Sequence, residues 1–278
     1  MRTKTFSAMM LVLMITIPVF GYGENSQNVV EQKEKGSINW TRGVIEAKGI
    51  GIPPKEVSGN TDFRKEALID AELDASRKIF DIAKDVRIDG TIVVGAAALG
   101  DSAILSKILN MAKNAKVVKK EYLTDGTVKI GMEMNLRGGF AQLVLPKDIK
   151  PLDSITHVNM KNTSRQSFTG LVVDARGLDI KPALVPKIID ENDQEVYGSA
   201  FVSREYAVQQ GMSGYGKNLE KTIHNRRVAD HPLVVKGLKT AGSNHSEIVI
   251  SNTDAAKLRS SSESLSFLKK CRVMIVVD

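Results

Sequence analysis

A single cysteine among 278 residues, Cys271, excludes an intrachain disulfide framework and a thiolate zinc cluster. Histidine is nearly as scarce. His157, His224, His231 and His245 stand far apart, and no two have the three- or four-residue spacing that builds a metal face on a helix. Aromatic residues make up only 5% of the chain, with no stacking cluster among basic residues, which argues against a nucleic-acid partner. There is no Gly-x-Ser-x-Gly elbow to anchor a serine hydrolase. No apolar run reaches the roughly 20 residues that a membrane-spanning helix needs. What is present is ordinary for a folded protein: 42% hydrophobic and 26% charged residues, with 39 basic against 32 acidic side chains. The length suits one or two domains with cores of their own.

The N-terminus has the three-part plan of a secretory signal. Arg2 and Lys4 precede an apolar run at residues 8–20, and the small residues Gly21 and Gly23 follow. Residues 1–23 are therefore expected to be removed on export, with cleavage after Gly23. A lipoprotein signal would end on a cysteine, and none stands there, so the exported chain is expected to be periplasmic and not lipid-anchored. The two basic residues of the signal account for part of the formal charge of +7 and leave +5 on the exported chain. Residues 24–36 are charged and lack a periodic apolar face, which reads as a flexible leader.

Two modules follow, over residues 37–146 and 168–278, joined by an aperiodic polar linker at 147–167. The first opens with a strand at 40–52. One face of it, Gly43, Ile45, Ala47, Gly49 and Gly51, is almost entirely small, as where another backbone approaches closely. A helix is expected over 62–86, because Phe63, Ala67, Ala71, Ala75, Ile79, Ile82 and Val86 recur at steps of three and four. Asn60 or Thr61 can cap it. The alanines form a shallow groove, so helix and small-residue strand can pack close. A second helix is expected over 101–114, whereas residues 91–99 fit a short strand or a helical lead-in equally. Asp125-Gly126 reads as a two-residue hairpin turn between strands at 116–123 and 127–136. The second of these alternates without exception, with Val128, Ile130, Met132, Met134 and Leu136 on one face. This module is an antiparallel sheet with helices on one face.

In the second module, strands are expected at 169–175, 186–190, 195–199, 201–208, 233–240 and 246–251, and a helix from 252 to 262. A final strand at 270–277 is apolar on both faces and hence central. The strand–helix–strand ending implies a crossover and a mixed sheet. The fold class is thus α+β in two modules, the second a mixed-sheet α/β unit.

Few motifs carry chemistry. The glycine-rich stretch from Gly211 to Gly216 lacks the spacing of a phosphate cradle and reads as a mobile loop. Asp190 to Glu195 (DENDQE) has the oxygen ligands of a calcium loop but not its glycine or distal glutamate, and reads as a turn. Asp174 and Arg176, near a strand end, suit a structural ion pair better than a ligand site. Cys271 shares an alternating face with Val273, Ile275 and Val277, which implies burial. No residue is assigned a catalytic, cofactor-binding or metal role, and no cofactor is implied.

The pattern Ala47-x-Gly49-x-Gly51, the helix with alanines at every fourth position and the closing hairpin resemble the N-terminal domain of the flagellar H-ring protein family FlgT. They are also similar to bacterial outer-membrane lipoproteins of the Lpp-twenty type. Residues 169–178, 232–236 and 273–277 resemble segments of uncharacterised envelope proteins that share the first module. The resemblance implies an envelope protein that works by contacts, near flagellar or outer-membrane structures, and brings no catalytic residues. The missing lipid-bearing cysteine departs from the lipoprotein pattern and puts direct membrane attachment in doubt.

The leading expectation is a non-enzymatic binding or assembly module whose partners are other envelope proteins. A binder of anionic polymer, peptidoglycan or lipopolysaccharide, is the alternative, because Lys217, Lys221, Arg226, Arg227, Lys236 and Lys239 fall in one region, interspersed with Glu220 and Asp230. A periplasmic hydrolase acting through paired carboxylates is the third reading, although no spacing singles out a pair.

Overall fold

A computed structural model describes residues 27–53, 62–149, 168–260 and 262–278. The fold is α+β with two modules, one built on a five-stranded antiparallel sheet and the other on a seven-stranded mixed sheet. The signal-like segment, the capping positions Asn60 and Thr61, and His157 lie outside the described residues.

The first sheet contains β1 (Val30–Lys33), β2 (Gly36–Asn39), β3 (Val44–Gly51), β4 (Lys116–Tyr122) and β5 (Val128–Asn135), in the order β1-β2-β3-β5-β4. The small-residue strand is β3. Ile45, Ala47, Gly49 and Gly51 lie opposite Met134, Met132, Ile130 and Val128 of β5, so both rows share one face. That face is covered by α1 (Asp62–Lys84), whose Ala67, Ala71, Ala75 and Ile79 are fully buried. The approach is close enough to exclude side chains. A Cβ on Gly49 would lie 1.9 Å from the Ala71 carbonyl oxygen, and one on Gly51 would lie 1.8 Å from that of Ala67. The sequence pattern thus records a backbone-to-backbone contact between strand and helix.

Two features of this module differ from expectation, the leader and the hairpin turn, and one that was open, residues 91–99, takes its helical alternative. The leader is not free along its length: Val30–Lys33 pairs antiparallel with Gly36–Asn39 as the outer hairpin of the sheet. Its four residues are too few to show a period, and the hairpin is held by tertiary contacts of Glu31. The ambiguous stretch contains a four-residue helix, α2 (Val94–Ala97), set by an isolated bridge between Arg87 and Val93. The β4–β5 hairpin turns through three residues instead of two. Gly126 N donates to Leu123 O at 3.2 Å and Leu123 N to Thr127 O at 2.9 Å. Gly126 has φ 85° while Asp125 stays at negative φ, the pattern of a type I turn closed by a glycine bulge. The second helix, α3 (Ser102–Lys113), begins at Asp101, whose carboxylate accepts from the amides of Ala103 and Ile104. A further short helix, α4 (Gly139–Val144), buries Phe140 and Ala141.

The second sheet runs β8-β7-β11-β10-β6-β12-β9, with β6 (Leu171–Asp174), β7 (Lys187–Ile189), β8 (Glu195–Tyr197), β9 (Gly214–Gly216), β10 (Leu233–Ala241), β11 (Glu247–Ile250) and β12 (Val273–Val276). As its two-sided apolar character demands, β12 is interior, parallel to both β6 and β9 and buried throughout. The strand expected at 201–208 is instead a 3-10 turn (Ser199–Phe201) followed by α5 (Arg204–Gln210), which has only Ala207 fully buried. Beyond α6 (Leu219–Ile223) and α7 (Asn252–Arg259), an unforeseen α8 (Ser262–Lys269) supplies the rest of the crossover to β12.

The modules share one core. A single cluster of buried side chains extends from Val29 and Trp40 through Ile79 and Phe140 to Tyr197 and Ile275. Backbone hydrogen bonds also cross the seam: Leu184 N to Arg87 O at 3.0 Å, Val185 N to Ile88 O at 2.7 Å, Asn244 N to Gly90 O at 3.0 Å and Gly138 N to Val208 O at 2.8 Å. Of the expected linker, residues 150–167 lie outside the description, but its first residues pack, with Ile149 only 1% exposed. Among the described residues no helix is long and apolar enough to cross a membrane.

Candidate functional site

The seam carries an open cleft of about 590 Å³, lined on one side by β1, Trp40 and Arg87 and on the other by residues 179–182 and 243–245. Its floor is an ionic cluster. Glu31 points to the helix side of the first sheet, past the edge of α1. Arg87, just beyond the C-terminus of α1, reaches it with both terminal nitrogens; Nη1 donates to Oε1 at 3.0 Å and Nη2 donates to Oε2. Trp40 Nε1 donates to Oε2 at 3.0 Å, and Lys33 Nζ lies 2.7 Å from Oε1. The remaining Arg87 nitrogen, Nε, donates across the seam to Pro182 O at 2.8 Å. Arg87 also sits 5.8 Å from the centre of the Trp40 ring, a cation–π distance. Burial by itself pushes the Glu31 carboxyl up, but the hydrogen bonds from Arg87, Lys33 and Trp40 outweigh it and hold the group at about 2.

The opposite wall is built from two loops locked together. Lys181 N donates to His245 O at 2.9 Å, and Ser246 Oγ donates to Lys181 O at 2.9 Å. Ser243 Oγ and the amide of Asn244 both donate to Gly90 O, which ties this wall to the first module. Asp179 and His245 adopt left-handed backbone angles, with φ 51° and 52°. Non-glycine residues enter that region at a cost and concentrate where loops are shaped for a task. Asp179 holds Lys181 at 2.6 Å, and His245 Nδ1 lies 3.6 Å from the same carboxylate.

The residues singled out in the sequence are scattered, and the structure brings few of them together. Residues 211–216 are no mobile loop. Gly214–Gly216 forms the buried strand β9, and a Cβ on Gly214 would lie 2.4 Å from Met274 Sδ, so glycine serves close packing. Asp190 accepts from the amides of Asn192 and Gln194, both at 2.9 Å, and from Arg259 Nη1 at 2.7 Å, which makes the DENDQE segment a turn clasped by an arginine. Among the described residues no group of three or more His, Cys, Asp and Glu side chains is placed to hold a metal. Arg176 grips Asp174 in bidentate fashion at 2.7 and 2.8 Å, the structural ion pair expected. Of the described histidines, His231 stacks on Phe168, His224 ends α6 and only His245 enters the cleft.

Burial removes one member of the basic region, while Lys221, Arg226, Lys236 and Lys239 stay exposed. Arg227 turns inward and donates to the carbonyl oxygens of Gly211, Cys271 and Gln210, out of reach of a polymer. Cys271 is fully buried, but it occupies a left-handed turn (φ 54°) ahead of β12, not the strand itself. Burial pushes its thiol up to about 11, against the opposing effects of Tyr197 and Arg227. We expect no modification of the native chain by a thiol reagent at neutral pH over hours, and stoichiometric labelling in denaturant. Rapid labelling of native protein would show that this turn opens.

Glu31, Arg87 and Trp40 escaped the sequence reading. The lone tryptophan beside a strand was the available signal. Glu31 and Arg87 lie 56 positions apart, and no local spacing announces their pairing.

Comparison with known proteins gives one family match. Residues 170–278, almost all of the second module, match the family model of the Treponema pallidum Tp0624 second domain. A search of curated proteins found no match to the chain.

Proposed function

We propose that this protein is an exported, non-enzymatic component of the bacterial cell envelope that holds a partner protein in the seam cleft. One observation carries the reading: the acidic group at the floor of the cleft is a fixed charge. A carboxyl held at about 2 by three donors stays ionised at any physiological pH, so it accepts hydrogen bonds but does not shuttle protons. Arg87 is likewise committed, to Glu31 and to Pro182 O. With its acceptor sites filled by Arg87, Lys33 and Trp40, the cluster is a rigid polar surface that shapes the cleft without chemistry. Trp40 and the polar side chains opposite, among them Lys181 and Asn244, offer the mixed apolar and polar contacts typical of protein interfaces. The signal-like N-terminus supports export, and the resemblance of the first module to FlgT-type and lipoprotein-type domains supports an envelope role by contact, with a soluble periplasmic location.

The test is a photo-crosslinker placed at Lys181, on the exposed rim of the cleft, in the native host. A discrete adduct with one envelope protein is expected. It should disappear when Asn244 is replaced by arginine and should not form from Glu121, on the opposite face of the first sheet. Adducts of equal yield from both positions would sink the proposal. Salt-sensitive retention of the purified chain on sacculi, with no protein adduct, would favour the anionic-polymer reading instead.

A further inference from the structure

A second and smaller cavity lies in the seam, and Trp40 lines it as well. It encloses about 40 Å³, room for about three water-sized groups. Its walls come from both modules: Gly43 and Arg137 from the first, Ser213 and Tyr215 from the second. Arg137 follows β5, and its guanidinium lies flat against Gly43; a Cβ there would be 3.0 Å from Nε and 3.1 Å from Nη2. Among the described residues this guanidinium has no hydrogen-bond or ion-pair partner, although it is half-buried and burial depresses its basicity. Arg227 stands near enough to repel it, and its own guanidinium is satisfied by carbonyl oxygens alone. Among the described residues neither arginine faces a carboxylate. On the other wall, Ser213 Oγ is buried without a hydrogen bond of good geometry, though it lies close enough to the Tyr215 hydroxyl to favour that group's ionised form. The neighbouring Tyr215 hydroxyl is already engaged at both ends, accepting from Ala183 N at 3.0 Å and donating to Ala183 O at 2.9 Å.

A half-buried cation without a counter-charge and a poorly bonded buried hydroxyl both cost free energy, and both are relieved by the same thing, a small anion. We infer that this cavity is a binding site for a small oxyanion group, a carboxylate or a phosphate, gripped by the Arg137 guanidinium and the Ser213 hydroxyl. A planar fork of donors opposite one hydroxyl suits either group. The site joins both modules, so its ligand also ties them together. It is independent of the partner proposed for the larger cleft.

Trp40 is the only tryptophan in the chain and lines both seam cavities, so its fluorescence reports an anion in either, and the Arg137 and Ser213 variants assign the response to this one. The purified chain is titrated with sodium phosphate and, separately, with sodium acetate, sodium chloride holding ionic strength constant. A saturable change with at least one anion is expected, and the responding anion identifies the group as phosphate or carboxylate. R137M should weaken the response at least tenfold and S213A about threefold. In anion-free buffer R137M should melt no lower than the parent, because it removes an uncompensated charge; should it fail to fold, S213A decides. The inference is overturned if neither anion gives a saturable change, or if the folded variants respond as the parent does.

Discussion

Replacing Gly51 by alanine is expected to cost about 3 kcal/mol, the upper end of the usual penalty for overpacking. The added methyl would overlap the Ala67 carbonyl oxygen at 1.8 Å. That obstacle is helix backbone, which cannot rotate aside as a side chain would. Helix α1 would have to lift from β3 by more than an ångström, loosening the contacts of Ala71, Ala75 and Ile79 together. Gly49→Ala meets the Ala71 oxygen in the same way, at 1.9 Å. Ala71→Leu presses on the contact from the helix side, at about 1–3 kcal/mol. For a chain of this size, 3 kcal/mol corresponds to a melting temperature lower by roughly 10 °C. Thermal unfolding followed by circular dichroism checks it, and a Gly51→Ala melting point within about 2 °C of the parent would refute the close approach.

Arg87→Met is expected to destabilise the chain by about 3 kcal/mol, because it strands two groups at once. Glu31 loses its principal counter-charge and Pro182 O loses a donor from across the seam. Acid should act on the same cluster. The Glu31 carboxyl has an ordinary value of 4.5 and is depressed to about 2 in the folded chain. A depressed folded value stabilises above the unfolded one, so the contribution is complete above about pH 4.5 and disappears as the pH falls towards 2. The shift alone corresponds to about 3 kcal/mol, and solvent at the open side of the cleft reduces this to about 2 kcal/mol. Urea unfolding between pH 5 and pH 2 measures it. In Glu31→Gln the acid-dependent loss should shrink by about that amount, while parallel pH profiles of variant and parent would show that the cluster contributes nothing.

The sequence and the structure agree best where a period is long. Seven apolar positions over residues 63–86 leave little choice but a helix, and the alternation from Val128 to Leu136 leaves little choice but a half-buried strand at β5. Agreement fails where elements are short. A run of three or four residues, as in β1, β9 or α2, has no period, and its conformation is dictated by what it packs against. The hairpin at Asp125-Gly126 was located from composition, but turn type depends on register, which only the pairing of β4 with β5 reveals. The basic region illustrates the same limit for a surface. Six cations close in sequence suggested a patch, yet Arg227 is drawn inside by three carbonyl oxygens that converge only after folding.

By itself, the sequence determined the α+β class, the small-residue contact between β3 and α1, the interior place of the last strand and the burial of Cys271. Each of these is a local pattern of side-chain size or polarity, repeated at the period of the element that bears it. Only the tertiary structure decided that the modules share one core and that both candidate sites lie on their seam. Glu31 with Arg87, an ion pair, and Arg137 with Ser213, which line one cavity, are separated by 56 and 76 positions. Their partnership is a property of how two sheets dock, and docking is set by the sum of many weak contacts that leave no periodic trace along the chain.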